Sequence, residues 1–285
     1  MPHRLYLKNQ PPLVTIDDFA DTYKDTDSMG YNRASTFLLS KVLLPLTYKS
    51  ELFPELNIMI SSLIWSGSVS SNYKHPPTAS LSLDQMVMNL VEPSLSKLEC
   101  GIREGANAYH LAENGAAYAR LLTVVPGLFV SKGVGDKQER KGNMNFTIPD
   151  YYNFILTYHR NIMYEDKDLV DGLLRDHLRI FFAARSSWDG ILSFESRLFS
   201  YASEEQALSD ADMMLSMIRT AYPKMEMPDS AKRFKEIGPY KDYPYKLHST
   251  SIRFTEREII NGFRHYGLFL NHQDNLKGSR AVHKR

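Results

Sequence analysis

A chain of 285 residues, 43% hydrophobic and 24% charged, is long enough to bury a core without staples, and its composition excludes wholesale disorder. The single cysteine, Cys100, excludes an intramolecular disulfide and a cysteine-based zinc site, and is expected as a small buried hydrophobe. The net charge of +1 hides a division: residues 232–285 hold twelve Lys and Arg against five Asp and Glu, or +7, and residues 1–231 hold 22 against 28, or −6. A chain with one basic end points to a polyanion partner or to head-to-tail contact between copies.

The opening MPHRLYLKNQPPL has no apolar core of the kind a secretory leader needs. The longest apolar stretches, 37–46 and 58–65, fall short of the roughly 20 residues that cross a bilayer. The expected location is therefore cytoplasmic or in a virion, not secreted, with no membrane span. The sequon Asn145-Phe146-Thr147 would then go unused.

In chain order, Pro2, Pro11 and Pro12 before Leu13-Val14-Thr15-Ile16 predict an extended N-terminal arm over 1–31, which copies of the chain could exchange. Asn32 is expected to cap a helix through Phe37, Leu38, Leu39, Val42 and Leu43 that Pro45 stops. A second helix is predicted from Pro54 to Trp65, then a Ser-rich loop over 67–78. Ser82 with Gln85 forms a capping-box pattern for a helix interrupted at Pro93. Small and apolar positions from Ala108 through Leu111, Gly115, Tyr118 and Leu122 recur at helical spacing until Pro126-Gly127, and 128–130 reads as a short strand.

Residues 132–149 are polar and glycine-containing, a basic loop and hinge between an N-terminal lobe over 32–131 and a C-terminal lobe over 150–270. In that second lobe helices are expected after Asp150, after Asp168, from Ser187 to Tyr201, after Ser203, after Asp229 as a short basic helix, and after Thr255. The methionines at 213, 214 and 217 read as adaptable core filler. Residues 271–285 form a basic tail. The predicted fold is mainly α, a multi-helical globular protein of two helical lobes. No repeat and no sustained heptad pattern supports a solenoid or coiled coil.

Motifs for chemistry are absent or incomplete. Gly133 and Gly135 with nearby lysines lack the GxxxxGK[ST] arrangement of a phosphate cradle. Asp166, Asp168 and Asp171 before Gly172 resemble a calcium loop, but its last ligand would be His177, so acids at a helix N-terminus explain them better. Ser94 and Lys97 have SxxK spacing without the companion elements of that acyl-transfer site. The histidines show no metal spacing. No catalytic residue, metal or cofactor is expected.

The basic, aromatic C-terminal end does supply a mechanism, since cations neutralise phosphates while aromatic faces stack unpaired bases. The candidate nucleic-acid contacts are Lys132, Lys137, Arg140 and Lys141 in the loop, then Lys232, Arg233, Lys235, Tyr240, Tyr243, Tyr245, Lys246, Arg253, Arg257 and Arg264. The alternative for these residues is a solvated face over core aromatics such as Phe254 and Phe263. The expected function is a non-enzymatic, self-associating protein of nucleocapsid or coat type that binds RNA or another polyanion. Two other readings stay open: an enzyme with a dispersed site around His159, Arg160, Asp176 and His177, and an interaction module whose basic end binds an acidic partner. No family resemblance attaches to any motif.

Overall fold

Helix α3 (Phe53–Ser66) has almost no polar face: Met59 through Ile64 are all buried, a run longer than one helical turn, so the helix must be packed on every side. It stands in a computed structural model that describes residues 12–25, 28–47, 50–72, 75–83, 85–106, 108–125, 143–144, 167–188, 194–201, 212, 215–224, 232–237 and 247–254. The chain divides into two compact units, Met1–Leu173 and Leu174–Arg285.

The first unit combines helices with a sheet. Its helices are α1 (Ile16–Tyr23), α2 (Ser28–Ser40), α3, α4 (Gln85–Lys97) and α5 (Gly115–Val124). Its strands are β1 (Gly67–Asn72), β2 (His75–Leu81), β3 (Cys100–Glu104), β4 (Tyr109–Glu113) and β5 (Asn143–Met144), antiparallel in the order β3-β4-β2-β1-β5. Helix α3 packs on α4 and on the β1–β2 hairpin, α5 lies against β2 and β4, and α1 and α2 cover α5. Val69, Ala79, Leu81, Cys100 and Leu111 supply the buried positions of the strands.

Helix is the commonest conformation among the described residues, as expected, and α3 and α4 form where proline at the first turn and the run from Gln85 predict them. Five local expectations are corrected in this unit. Asn32 lies inside α2, which runs from Ser28 to Ser40, and does not cap a helix reaching Leu43. The stretch 1–31 is not wholly an extended arm: Thr15 and Asp18 close a capping box that starts α1, and Val14 is buried in an antiparallel bridge with Leu46 of its own chain. Residues 67–78 are not a loop, because Val69 faces Ala79 across a hairpin whose backbone groups pair. The helix predicted from Ala108 to Leu122 is a strand followed by a helix, divided where Glu113 takes φ 50°. Helix α4 runs through Pro93 to Lys97 instead of ending there.

The second unit holds most of helix α6 (Lys167–Arg185), a helical stretch over 215–221, and strands β6 (Ser186–Trp188), β7 (Phe194–Tyr201), β8 (Lys232–Ile237) and β9 (Leu247–Phe254). The strands form an antiparallel sheet in the order β6-β7-β9-β8. The helix predicted from Ser187 to Tyr201 is thus replaced by β6 and β7, and the short basic helix after Asp229 by β8. Buried Leu174, His177, Leu178, Phe181 and Phe182 share one face of α6, while Arg175 and Arg179 are exposed. Arg175 lies 5.7 Å over the Tyr222 ring, and Met217 is buried, in keeping with a core role. The predicted strand at 128–130, the helices after Asp150 and Thr255, and the tail from 271 lie outside the described residues.

Two outcomes test this packing. A Cβ on Gly67 would stand 2.6 Å from the Leu63 Cα and 2.8 Å from the Ser80 carbonyl oxygen, both backbone atoms. Gly67→Ala is therefore expected to cost about 1–3 kcal/mol, read as a lower midpoint in thermal denaturation followed by circular dichroism; an unchanged midpoint would mean that the junction yields freely. His177 is 1% exposed, and burial pushes its imidazole down to about 3 from an ordinary 6.5. Because the folded value lies below the unfolded one, the neutral ring's contribution is full above pH 6.5 and is lost as pH falls toward 3. Urea unfolding at pH 7 and pH 5 should show a loss of about 2 kcal/mol from this residue, absent in His177→Gln; equal losses in both chains would show that the ring does not titrate on unfolding.

Candidate nucleic-acid interface

Of the fourteen sequence-derived contacts, Lys232, Arg233, Lys235 and Arg253 fall on described strands. Lys132, Lys137, Arg140, Lys141, Tyr240, Tyr243, Tyr245, Lys246, Arg257 and Arg264 lie outside the described residues. Asn143 and Met144, within the expected hinge, form β5 and pair with Ser70 and Val69.

Strand alternation sorts the four described positions. Successive residues of a strand belong to opposite faces, and residues directly opposite on neighbouring strands share one. Arg233 pairs with Ser251, and Ser251 with Arg197, so the three form a rank across β8, β9 and β7. Lys235 pairs with Ser249, two residues from Ser251, and Arg253 pairs with Glu195. One face of the sheet thus collects Arg197, Arg233, Lys235 and Arg253 among serines, with Glu195 as the acidic member, a net of +3. Neighbours along a strand on one face are about 7 Å apart, and positions separated by one intervening strand about 10 Å.

The opposite face has a different character. Trp188 pairs with Phe194 and Phe194 with Phe254, an aromatic rank across three strands, and Ile252 and Phe234 belong to the same face. Lys232 falls there too, paired with Ile252. The three cations expected to cluster on one short helix are therefore divided: Arg233 and Lys235 stay together and Lys232 goes to the aromatic face. Helix formation would have left β9 without its β8 partner. Pairing instead satisfies the backbone groups that β8 and β9 turn to each other, and the charges on β8 suit an edge position.

Arg197 is the member that sequence reasoning missed. Its neighbourhood reads FESRLFSY, and Phe194, Leu198 and Tyr201 also fit a helical stripe, which hides the strand alternation. A bulge between Arg197 and Ser200 blurs the period further.

The residues that would serve chemistry are occupied otherwise. Lys97 donates to Glu55 Oε1 at 2.7 Å, and that hydrogen bond, followed by the attraction of the same carboxylate, raises its ammonium above the ordinary value. An SxxK base needs the opposite shift. Cys100 is buried, and desolvation, followed by the Glu113 charge, pushes its thiol up to about 12, far from a reactive thiolate. His177 of the dispersed-site alternative is a buried neutral ring beside half-buried Asp176, and His159 and Arg160 lie outside the described residues. Among the described residues, no group of three His, Cys, Asp or Glu side chains is placed to hold a metal ion, and no helix is long and apolar enough to cross a membrane. No protein-family model, curated protein or solved structure matches the chain.

Proposed function

We propose that this chain is a non-enzymatic, self-assembling nucleic-acid-binding protein of nucleocapsid or coat type, with RNA as the favoured ligand. The observation that carries the reading is the strand register of the second unit, which gathers Arg197, Arg233, Lys235 and Arg253 on one face and the aromatic residues on the other. Antiparallel sheets commonly turn one face to the core and one to water. The basic, serine-rich face is taken as the one that meets the ligand. Arginine and lysine there neutralise phosphates, the serines donate further hydrogen bonds, and neither reads base sequence.

The loop cations Lys137 and Arg140 are further candidate phosphate contacts, and Tyr240, Tyr243 and Tyr245 are candidate stacking partners for bases. Association between copies is assigned to the N-terminal segment and to the basic tail over 271–285.

The test uses the full chain and a labelled single-stranded oligouridylate, with binding followed by fluorescence anisotropy across a salt series. Arg197→Glu, Arg233→Glu and Lys235→Glu together should abolish binding at moderate salt while the circular-dichroism spectrum stays unchanged. Neutral replacements at the same three positions should flatten the slope of log K against log salt by about 2, for three phosphates at roughly 0.7 each. Lys232→Glu, on the other face, should have a small effect. Unaltered affinity in the triple variant, or a loss from Lys232→Glu as large, would sink the assignment to this face.

A further inference from the structure

Among the described residues four large apolar side chains are exposed, and three of them, Met29, Leu39 and Val42, belong to α2 and the residues that end it. Scattered singly, such side chains are ordinary. Here they share a pattern: Met29, Asn32, Thr36 and Leu39 are all exposed, at the alternating three- and four-residue spacing that keeps one helix stripe against a partner helix. None of the four is charged, in a chain whose residues are 24% charged. The other side of α2 serves its own unit, with Ala34, Ser35 and Leu38 buried and the helix packed on α1 and α5.

The end of the helix carries a strain that stability does not explain. The Leu43 amide donates to the Leu38 carbonyl at 2.9 Å and the Val42 amide to the Leu39 carbonyl at 3.0 Å, the two bonds of a Schellman cap. Such a cap holds one residue in the left-handed region, where glycine is favoured. Val42 occupies that position at φ 55° and is 69% exposed. A β-branched side chain is thus kept in a strained conformation while burying little in its own chain, and strain of this kind is retained where a residue has a role beyond the fold.

The stripe fits a second copy of itself. A two-fold axis at the level of Ala34 lays two copies of α2 antiparallel. It brings Met29 of each copy to Leu39 of the other, and Asn32 of each to Thr36 of the other, so that apolar meets apolar and amide meets hydroxyl. Val42 flanks the Leu39 end, and an unbranched methionine adapts to both. Arg33, a charged residue on the exposed side, stands one position outside the stripe, so no charge of the stripe faces its own copy across the axis. With 13 residues α2 is about 20 Å long. A contact of that length buries less than the ~800 Å² per partner of standard stable interfaces. The pairing is therefore weak in dilute solution and strengthens when copies are held side by side.

We infer that α2 is a self-association surface, pairing antiparallel with α2 of a second copy about a two-fold axis. The inference rests on the self-assembly part of the proposed function and not on its nucleic-acid part. Sedimentation velocity of the full chain over a concentration series should show a reversible step from monomer to dimer. Leu39→Glu, at an exposed position, should weaken that step about tenfold with the circular-dichroism spectrum unchanged. Its binding to a short oligouridylate, measured where the chain is monomeric, should equal that of the unaltered chain. Val42→Gly should raise the midpoint of thermal denaturation in dilute solution and yet weaken the dimer, a combination that a purely structural residue does not give. Under mild oxidation a mixture of Asn32→Cys and Thr36→Cys chains should form an inter-chain disulfide that Thr36→Cys chains alone do not. Absence of the dimer step, a step that Leu39→Glu leaves unchanged, or equal cross-linking of Thr36→Cys chains alone overturns the assignment. Failure of the unaltered chain to bind oligouridylate would overturn the nucleic-acid reading and leave a dimer step sensitive to Leu39→Glu as support for this one.

Discussion

The first unit is organised by the need to bury α3 on all sides without stranding a polar group inside. Phe53, Leu56, Asn57, Met59, Ile60, Ser61, Ser62, Leu63 and Ile64 are each at most 3% exposed, and only Pro54, Glu55 and Ile58 are half-buried, so little of the helix is left for water. Three of them are polar, and each is satisfied. Ser61 donates to the Asn57 carbonyl at 2.7 Å, Ser62 to the Ile58 carbonyl at 2.8 Å, and the Asn57 amide to the Leu173 carbonyl at 3.0 Å. An unpaired hydroxyl or amide in this position would cost about 1–3 kcal/mol, so the serines use the helix's own carbonyls. The rest follows: α4 and the β1–β2 hairpin are the elements that wall the helix in, and the chain can pass from α3 into β1 without a loop because Gly67 brings no Cβ to the junction.

How much of this is legible in the sequence depends on whether one period stands alone. Helix α3 is legible because a proline at its first turn and a long apolar run admit one reading. The hairpin beside it is not: GSVSSN and HPPTASL are poor in β-branched and aromatic residues, and Val69, Ala79 and Leu81 are too few to declare an alternation. Pro76 and Pro77 argue against a strand, yet β2 accommodates them because it pairs with β4 only at Ser80 and Leu81, leaving the proline-bearing half with β1 alone. The strand–helix switch at Glu113 and Asn114 is hidden for another reason. Leu111, Gly115, Tyr118 and Leu122 keep helical spacing across it, and Gly115 is a packing glycine, since its Cβ would meet that of Leu111 at 2.7 Å.

The candidate site was legible in composition and illegible in geometry. Charge counting finds the basic end, and Arg233, Lys235 and Arg253 belong to it, but counting cannot separate Lys232 from its neighbours or add Arg197 from a strand some 35 residues earlier in the chain. Only the register does both.

The contrast between the units bears on the proposed function. In the first unit, two lysines are matched locally by acids: Lys41 pairs with Glu99, and Lys97 with Glu55, surface pairs worth about 1 kcal/mol or less that cancel charge more than they stabilise. Charge matched in this way projects little field beyond the pair, least of all across the ~8 Å over which physiological salt screens it. On the sheet of the second unit the register sets Glu195 opposite Arg253 and sets Arg233 and Arg197 opposite a serine. Arg233 and Arg197 thus stand on either side of β9, about 10 Å apart, with Ser251 and no acid between them. Retaining three cations around Ser249 and Ser251 makes physical sense where an anion is there to answer them, and a chain of phosphates matches both the sign and the spread.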